Sequence, residues 1–255
     1  MTGILLSGAF GKMGKAICSK VDETDDFQII AGIDIVEKEN VVFPVYKSFD
    51  LVPDSVINRI DVIIDFSNPS VFSSLLDFMV KNRKPAVIAT TGLSDEQIVK
   101  MKSAAYEVPV FFSANMSLGV NLICELAKKA AKALGDDFDI EILEMHHNQK
   151  IDAPSGTALM IADSISNEFD EKPDYVYDRA SKRVKRSKSE IGIQSVRAGN
   201  IVGEHQVIFA GTDEVITLSH SARSKTLFAS GALSAAKMII KKENGLYSMK
   251  ELIDG

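Results

Sequence analysis

The chain has 255 residues, of which 45% are hydrophobic and 25% charged, and its net charge is −6. That length can bury one large core or two smaller ones, and the acidic balance excludes wholesale electrostatic attraction to nucleic acid or anionic lipid. No run reaches the ~18 apolar residues of a membrane helix, and Met1 runs into a strand pattern without a charged leader or cleavage site, so neither a membrane span nor a signal peptide is expected.

In chain order, residues 3–7 are a short apolar run that reads as a buried strand. Glycines at 8, 11 and 14 follow, and then a helical pattern through Lys20. A strand that turns tightly into a helix presents free N–H groups and a partial positive charge to a pyrophosphate. A second strand, 28–33, ends at Asp34, where a carboxylate takes the ribose hydroxyls of a dinucleotide. Ile35 follows it rather than an arginine that would pair with a 2′-phosphate, so NADH is favoured over NADPH. Lys12 and Lys15 lie near enough to reach a phosphate, or are simply solvated.

Strands at 61–65, 84–89 and 108–112 alternate with helical stretches, one of them opened by Ser94 with Gln97 in the capping-box place. Such alternation implies a parallel sheet with right-handed crossovers, and ligands gather at the carboxyl ends of its strands. Those ends, at Phe66-Ser67, Thr90 to Gly92 and Ala114 to Met116, are expected to form one dinucleotide cleft with the glycine loop.

A helix at 119–134 holds Cys124, and the first helix holds Cys18; two thiols in apolar helical patterns fit burial in a reducing cytoplasm. Residues 138–145 then alternate with period two, a half-buried strand. It delivers His146 and His147, two of the four histidines, to its end. Lys150 and an Asp152-Ala-Pro-Ser-Gly-Thr157 turn into a helix follow. A lysine beside Ser155, Gly156 and Thr157 at a helix start suits the grip of a carboxylate. Adjacent side chains on a strand face opposite ways, and no cysteine or third histidine is near in sequence, so no metal site is expected.

Residues 170–190 read as a polar loop whose basic run, 182–188, is solvated. Strands at 191–197, 204–210 and 214–220, separated by short turns, imply a mixed or antiparallel sheet with an open face suited to oligomer contacts. The helix at 228–240 is expected to return to the first domain, with a short ordered tail anchored by Leu246, Tyr247, Met249 and Leu252. The fold class is therefore α/β: a Rossmann-type parallel domain, 1–117 with 228–255, and a central α+β domain, 118–227, with a mixed sheet.

The stretch Glu144-x-His146-His147-x-x-Lys150-x-Asp152-Ala-Pro-Ser-Gly-Thr157-Ala resembles the signature of the 4-hydroxy-tetrahydrodipicolinate (dihydrodipicolinate) reductase family of lysine and diaminopimelate biosynthesis. The glycine loop, Asp65-Phe-Ser, Thr90-Thr-Gly92, Ala114-Asn-Met-Ser117, Gly203-Glu-His205 and Phe228-Ala-Ser-Gly-Ala232 are similar to family blocks in family order. Ala89 departs from it, standing where many relatives have Gly.

The resemblance implies a homotetramer that reduces a small cyclic dicarboxylate with NADH or NADPH, releasing water. It implies His146 as general acid and Lys150 as a second catalytic group. It further implies His147, Ser155, Gly156 and Thr157 as substrate contacts. Its cofactor positions fall on Gly8, Phe10, Gly11, Lys12, Met13 and Asp34, on Phe66 and Ser67, on Thr90, Thr91 and Gly92, and on Ser113, Ala114, Asn115 and Met116.

Overall fold

Ile4-Leu5-Leu6 and Val62-Ile63-Ile64 have no solvent contact at all. Continuous apolar strands of this kind require a sheet covered on both faces, and the computed structural model, which describes residues 1–36 and 41–255, contains one. Two compact units result, residues 1–118 with 225–255 and residues 119–224.

The first unit begins β1 (Thr2–Ser7), α1 (Lys12–Val21), β2 (Phe27–Ile33), β3 (Val45–Tyr46), α2 (Asp54–Ile57) and β4 (Val62–Asp65). It continues α3 (Phe72–Lys81), β5 (Ala86–Ile88), α4 (Asp95–Ala104) and β6 (Pro109–Phe112). The second unit holds α5 (Leu118–Leu134), β7 (Asp139–His146), α6 (Gly156–Ser166), β8 (Asp174–Val176), β9 (Glu190–Arg197), β10 (Gly203–Ala210) and β11 (Val215–Ala222). The chain then returns to the first unit with α7 (Thr226–Ile239), β12 (Gly245–Tyr247) and α8 (Met249–Asp254).

The first sheet has seven parallel strands in the order β12-β6-β5-β4-β1-β2-β3. From β1 the chain builds outward through β2 and β3, then restarts at β4 and builds the other way. The reversal leaves a crevice at the carboxyl ends of β1 and β4, where ligands of such sheets bind. One face packs on α3 and α4 through Phe72, Leu75, Met79 and Met101. The other packs on α1 and α7 through Ile17, Ala229, Ala232, Ala235, Ala236 and Ile239. The small residues of α7 let its backbone come close, and a Cβ on Gly231 would lie 1.7 Å from the Met116 carbonyl oxygen, so α7 rests directly on the end of the β6 loop.

The second sheet is mixed, in the order β11-β10-β7-β9-β8. The pairs β11–β10 and β10–β7 are antiparallel, while β7–β9 and β9–β8 are parallel. Helices α5 and α6 cover one face through Ile123, Ala127, Ile161 and Ile165. No helix of this unit covers the other face, where Leu143, Met145, Gln206 and Ile208 stay half-exposed.

Three short strands depart from the sequence reading. β8 lies inside the expected polar loop, β12 lies in the tail, and β3 was not expected; they have 3, 3 and 2 residues. Such strands carry no periodicity of their own and are set by the edges they pair with, β9, β6 and β2. The basic run 182–188 is also not wholly solvated. Arg186 donates to Asp139 at 2.8 Å and to the carbonyls of Ile140 and Glu190, and Arg179 pairs with Glu141 and Glu190.

Candidate active site

The turn after β1 is made by glycine for steric reasons. Gly8 has φ +78°, and a Cβ there would lie 2.6 Å from the Phe66 carbonyl oxygen, so the loops after β1 and β4 touch at the crevice. A Cβ on Gly14 would lie 2.3 Å from the Gly8 carbonyl oxygen and 2.4 Å from that of Ala9. Only glycine lets α1 sit this close to the strand end. The N-cap of α1 is Gly11, with no side-chain cap and no acidic residue in the first turn. The helix therefore keeps its positive end for an anion, with Lys12 exposed and Met13 half-buried beside it.

Asp34 closes the other side of this loop. Its Oδ2 accepts the Phe10 N–H at 2.8 Å and its Oδ1 that of Val36 at 3.0 Å. The loops after β4, β5 and β6 are bound together as well. Asp65 is wholly buried and accepts from the Ser67 hydroxyl at 2.5 Å and the Thr90 hydroxyl at 2.6 Å, while Thr90 Oγ1 accepts the Ser67 N–H at 3.1 Å. Burial raises the Asp65 carboxyl despite those hydroxyls. Ser113 donates its hydroxyl to the Asn115 carbonyl at 2.8 Å and Asn115 Oδ1 accepts the Ser117 N–H at 3.0 Å, which rounds the end of β6. Thr91, Gly92 and Ala114 are left exposed, whereas Met116 is buried against Gly231. The residues named for the cofactor thus cluster at strand ends of one sheet, pre-shaped by their own hydrogen bonds.

In the second unit the helix-covered face of the sheet changes character along its strands. Across β9, β7, β10 and β11 the rows read Ile191-Ile140-Phe209-Ile216, then Ile193-Ile142-Val207-Leu218, then Ser195-Glu144-His205-His220. Beyond them His146 pairs with Arg197, and Gly203 leaves the room for its ring: a Cβ there would lie 3.2 Å from His146 Nε2. Two apolar rows anchor the core, and polar side chains gather at the strand ends beside the start of α6.

Glu144 is the centre of that gathering. It has no solvent exposure, and Arg197 grips both its oxygens, Nη1 to Oε2 at 2.9 Å and Nη2 to Oε1 at 2.8 Å. The Ser155 N–H reaches Oε1 at 3.2 Å, and His146 Nδ1 lies 2.6 Å from Oε2. Burial alone would raise the carboxyl, but hydrogen bonds from Arg197, Ser195 and His146, with the Arg197 charge, pull it down to about 2. Glu144 is therefore an ionised, acceptor-only group, so His146 Nδ1 carries a hydrogen.

Ser155 is the N-cap of α6 and accepts the Ala158 N–H at 3.1 Å; its Oγ also meets His205 Nε2 at 3.0 Å. The His205 ring stands edge-on to His146, with centroids 5.3 Å apart. Gly156 is exposed in a first helical turn without acidic residues, and Thr157 is half-buried. Lys150 Nζ reaches both oxygens of Asp152 at 2.7 Å. Asp152 is mostly exposed, and such a pair is worth ~0–1 kcal/mol, so the ammonium can exchange it for another carboxylate. His147 is half-buried, and its carbonyl accepts the Lys150 N–H at 3.1 Å.

The structure thus places His146, Lys150, Ser155, Gly156 and Thr157 at one end of the second sheet, and adds Glu144, Arg197 and His205. For Glu144 the available signal was its place in the alternation Ile140, Ile142, Glu144, His146. Arg197 gave none, standing as the polar last residue of a strand.

Burial and the nearby His146 lower His205 to about 4. An unfolded imidazole titrates near 6.5, so between about pH 6.5 and 4 the unfolded chain binds a proton that the folded chain refuses, and stability falls as pH drops by up to ~3 kcal/mol. Chemical denaturation of His205→Gln is expected to give a flatter stability profile in that window than the parent; an unchanged slope would show that His205 is not the responsible group.

Comparisons with known proteins give the family. The family model for the N-terminus of dihydrodipicolinate reductase matches residues 2–116, and that for its C-terminus matches residues 119–253. The chain is 49% identical over 253 residues to a 4-hydroxy-tetrahydrodipicolinate reductase of Caldanaerobacter subterraneus subsp. tengcongensis, covering 99% of this chain and 98% of that one. It is 45% identical to that of Clostridium novyi, with 99% and 98% covered. Among solved structures, a dipicolinate-bound dihydrodipicolinate reductase from Paenisporosarcina sp. TG-14 superposes with a TM-score of 0.79 at 27% identity, over 97% of each chain. With both halves matched in order and relatives this similar over nearly their whole length, the chain belongs to the dihydrodipicolinate reductase family.

Proposed function

We propose that this protein reduces 4-hydroxy-tetrahydrodipicolinate to tetrahydrodipicolinate and water, using NADH or NADPH, with His146 as the general acid. The observation that carries the reading is the end of the second sheet. There an imidazole is held by a buried carboxylate, beside an exchangeable lysine and a helix start shaped for an anion. The glycine loop fits a dinucleotide, since α1 keeps an uncapped positive end and Gly8 and Gly14 leave no room for side chains.

When bound, the reduced nicotinamide supplies a hydride. The chain's own residues do the rest. Loss of the 4-hydroxyl as water leaves a conjugated C=C–C=N unit; the hydride adds to it, and the negative charge that develops next to the reduced centre takes a proton from His146 Nε2. Lys150 and the first turn of α6 at Gly156 and Thr157 hold a substrate carboxylate. Ser155 shapes that seat by fixing the turn, and His147 adds a polar group at its rim. The planar dicarboxylate named for the Paenisporosarcina complex is of the right chemical class.

Gly8, Phe10, Gly11, Lys12, Met13 and Asp34 would hold the adenosine and pyrophosphate side of the cofactor. The loops at Phe66-Ser67, Thr90 to Gly92 and Ser113 to Met116 would hold its nicotinamide side. Asp34 accepts ribose hydroxyls and repels a 2′-phosphate, and Ile35, 78% exposed, offers it no cation. NADH is therefore the preferred reductant. Substrate-dependent oxidation measured with both cofactors should give a higher kcat/KM for NADH, and Asp34→Gly with Ile35→Arg should move the ratio toward NADPH by about tenfold or more, about 1.4 kcal/mol. A parent that prefers NADPH would refute the preference. The uncovered face of the second sheet suits assembly into a homotetramer, and the unpaired Cys18 and Cys124 suit a reducing cytoplasm.

A further inference from the structure

We propose that Glu144, gripped by Arg197, is the positioning residue of this reaction. It fixes the His146 ring with the hydrogen on Nδ1, so that Nε2 alone passes a proton to substrate. The proposal rests on the reading of His146 as the acid.

Glu144 receives only donors. Oε2 takes His146 Nδ1 and Arg197 Nη1, and Oε1 takes Arg197 Nη2 and the Ser155 N–H. With these four contacts, Ser195 as a further donor and no solvent exposure, its charge is satisfied where it stands. The Arg197 pair would be complete without the histidine, and a buried ion pair is by itself weak evidence for stability. The 2.6 Å contact to Nδ1 therefore calls for another role.

Arg197 extends the frame. Its Nη2 also donates to the Asp152 carbonyl at 2.6 Å, so the same guanidinium ties the acid's carboxylate to the loop that carries Lys150. Among the described residues the neighbouring groups are engaged elsewhere: His205 turns Nε2 to Ser155, and Lys150 is held by Asp152. After Nε2 gives up its proton, the ring returns to the neutral form with hydrogen on Nδ1, the form that Glu144 selects.

The substitution Glu144→Gln keeps size and shape. With its carbonyl oxygen at the Oε1 place it still accepts from Ser155 and Arg197, but it sets an amide NH2 against Nδ1. Nδ1 must then accept, and the hydrogen moves to Nε2. The chain has four histidines, so 15N-histidine labelling gives a spectrum simple enough for assignment by loss of one ring in His146→Gln. Solid-state 15N spectra would be recorded well above ~6.5, the ordinary imidazole value.

The expected result is a His146 ring protonated on Nδ1 in the parent and on Nε2 in Glu144→Gln. The variant should also lose about tenfold or more in kcat, with a much smaller change in KM for the dicarboxylate. Glu144→Asp, which retains the carboxylate, should keep the parent tautomer and regain part of kcat. A parent ring protonated on Nε2 overturns the proposal without any variant. So does a Glu144→Gln ring unchanged from the parent. The spectra need no turnover, so a parent that fails to reduce the substrate rejects the proposed reaction separately.

Discussion

Replacing His146 by Gln is expected to lower kcat by about 10²-fold or more, the scale of a lost general acid, while the affinity for the reduced dinucleotide stays that of the parent. Gln fills a similar space and can still bond to Glu144, so the buried carboxylate keeps a partner and the fold is retained. It has no proton to give at Nε2's position. The split between turnover and cofactor binding is the informative part. The loops proposed for the cofactor lie in the first unit, where Asp34 holds Phe10, Asp65 holds Thr90 and Ser113 holds Asn115. Steady-state rates together with calorimetric titration of the dinucleotide check both halves. Equal kcat in parent and variant would remove His146 from the acid role.

The second large effect is expected from one methyl group. Gly14→Ala places a Cβ 2.3 Å from one backbone carbonyl oxygen and 2.4 Å from another, neither of which belongs to a flexible side chain. Helix α1 must move off the end of β1, and the Gly8 turn must open with it. Overpacking of this kind costs about 1–3 kcal/mol, which for a chain of this size is roughly 2–4 °C in Tm per kcal/mol. Dinucleotide binding should suffer as well, because the displaced turn is its proposed seat. Its Kd should rise by about tenfold or more, the equivalent of ~1.4 kcal/mol. Thermal melts and titrations of Gly14→Ala test this. A variant with the parent's Kd would mean that the glycine loop is not the pyrophosphate seat.

Much of this architecture was readable from the chain because its signals are local. The glycine turn between an apolar strand and a helix, the carboxylate at the end of β2, and the Ser94–Gln97 capping box each occupy one short segment, and the capping box forms as expected. The His-His-x-x-Lys turn into α6 is equally compact, and the structure brings His146, Ser155 and the start of α6 to one sheet end.

What was hidden depends on partners far away in sequence. Arg197 lies 53 residues from Glu144, and His205 lies 50 from Ser155; only the cross-strand register brings them together. A glutamate in an alternating strand reads as an exposed residue until a partner across the sheet shows that it faces inward. The edge strands β8, β12 and β3 were hidden for the same reason, since two or three residues acquire strand geometry only from the neighbour they pair with. Arg186 looked like part of a solvated run because Asp139 and Glu141 are 47 and 45 residues distant.

The most direct test of the proposed reaction is nicotinamide oxidation at 340 nm by the parent protein with freshly generated 4-hydroxy-tetrahydrodipicolinate, with tetrahydrodipicolinate identified as product. Absorbance loss that requires the substrate, with one product formed per nicotinamide oxidised, is the predicted result. Dinucleotide binding without any substrate-dependent oxidation, with NADH and NADPH alike, would contradict the account and leave a protein that holds the cofactor but does not reduce this dicarboxylate.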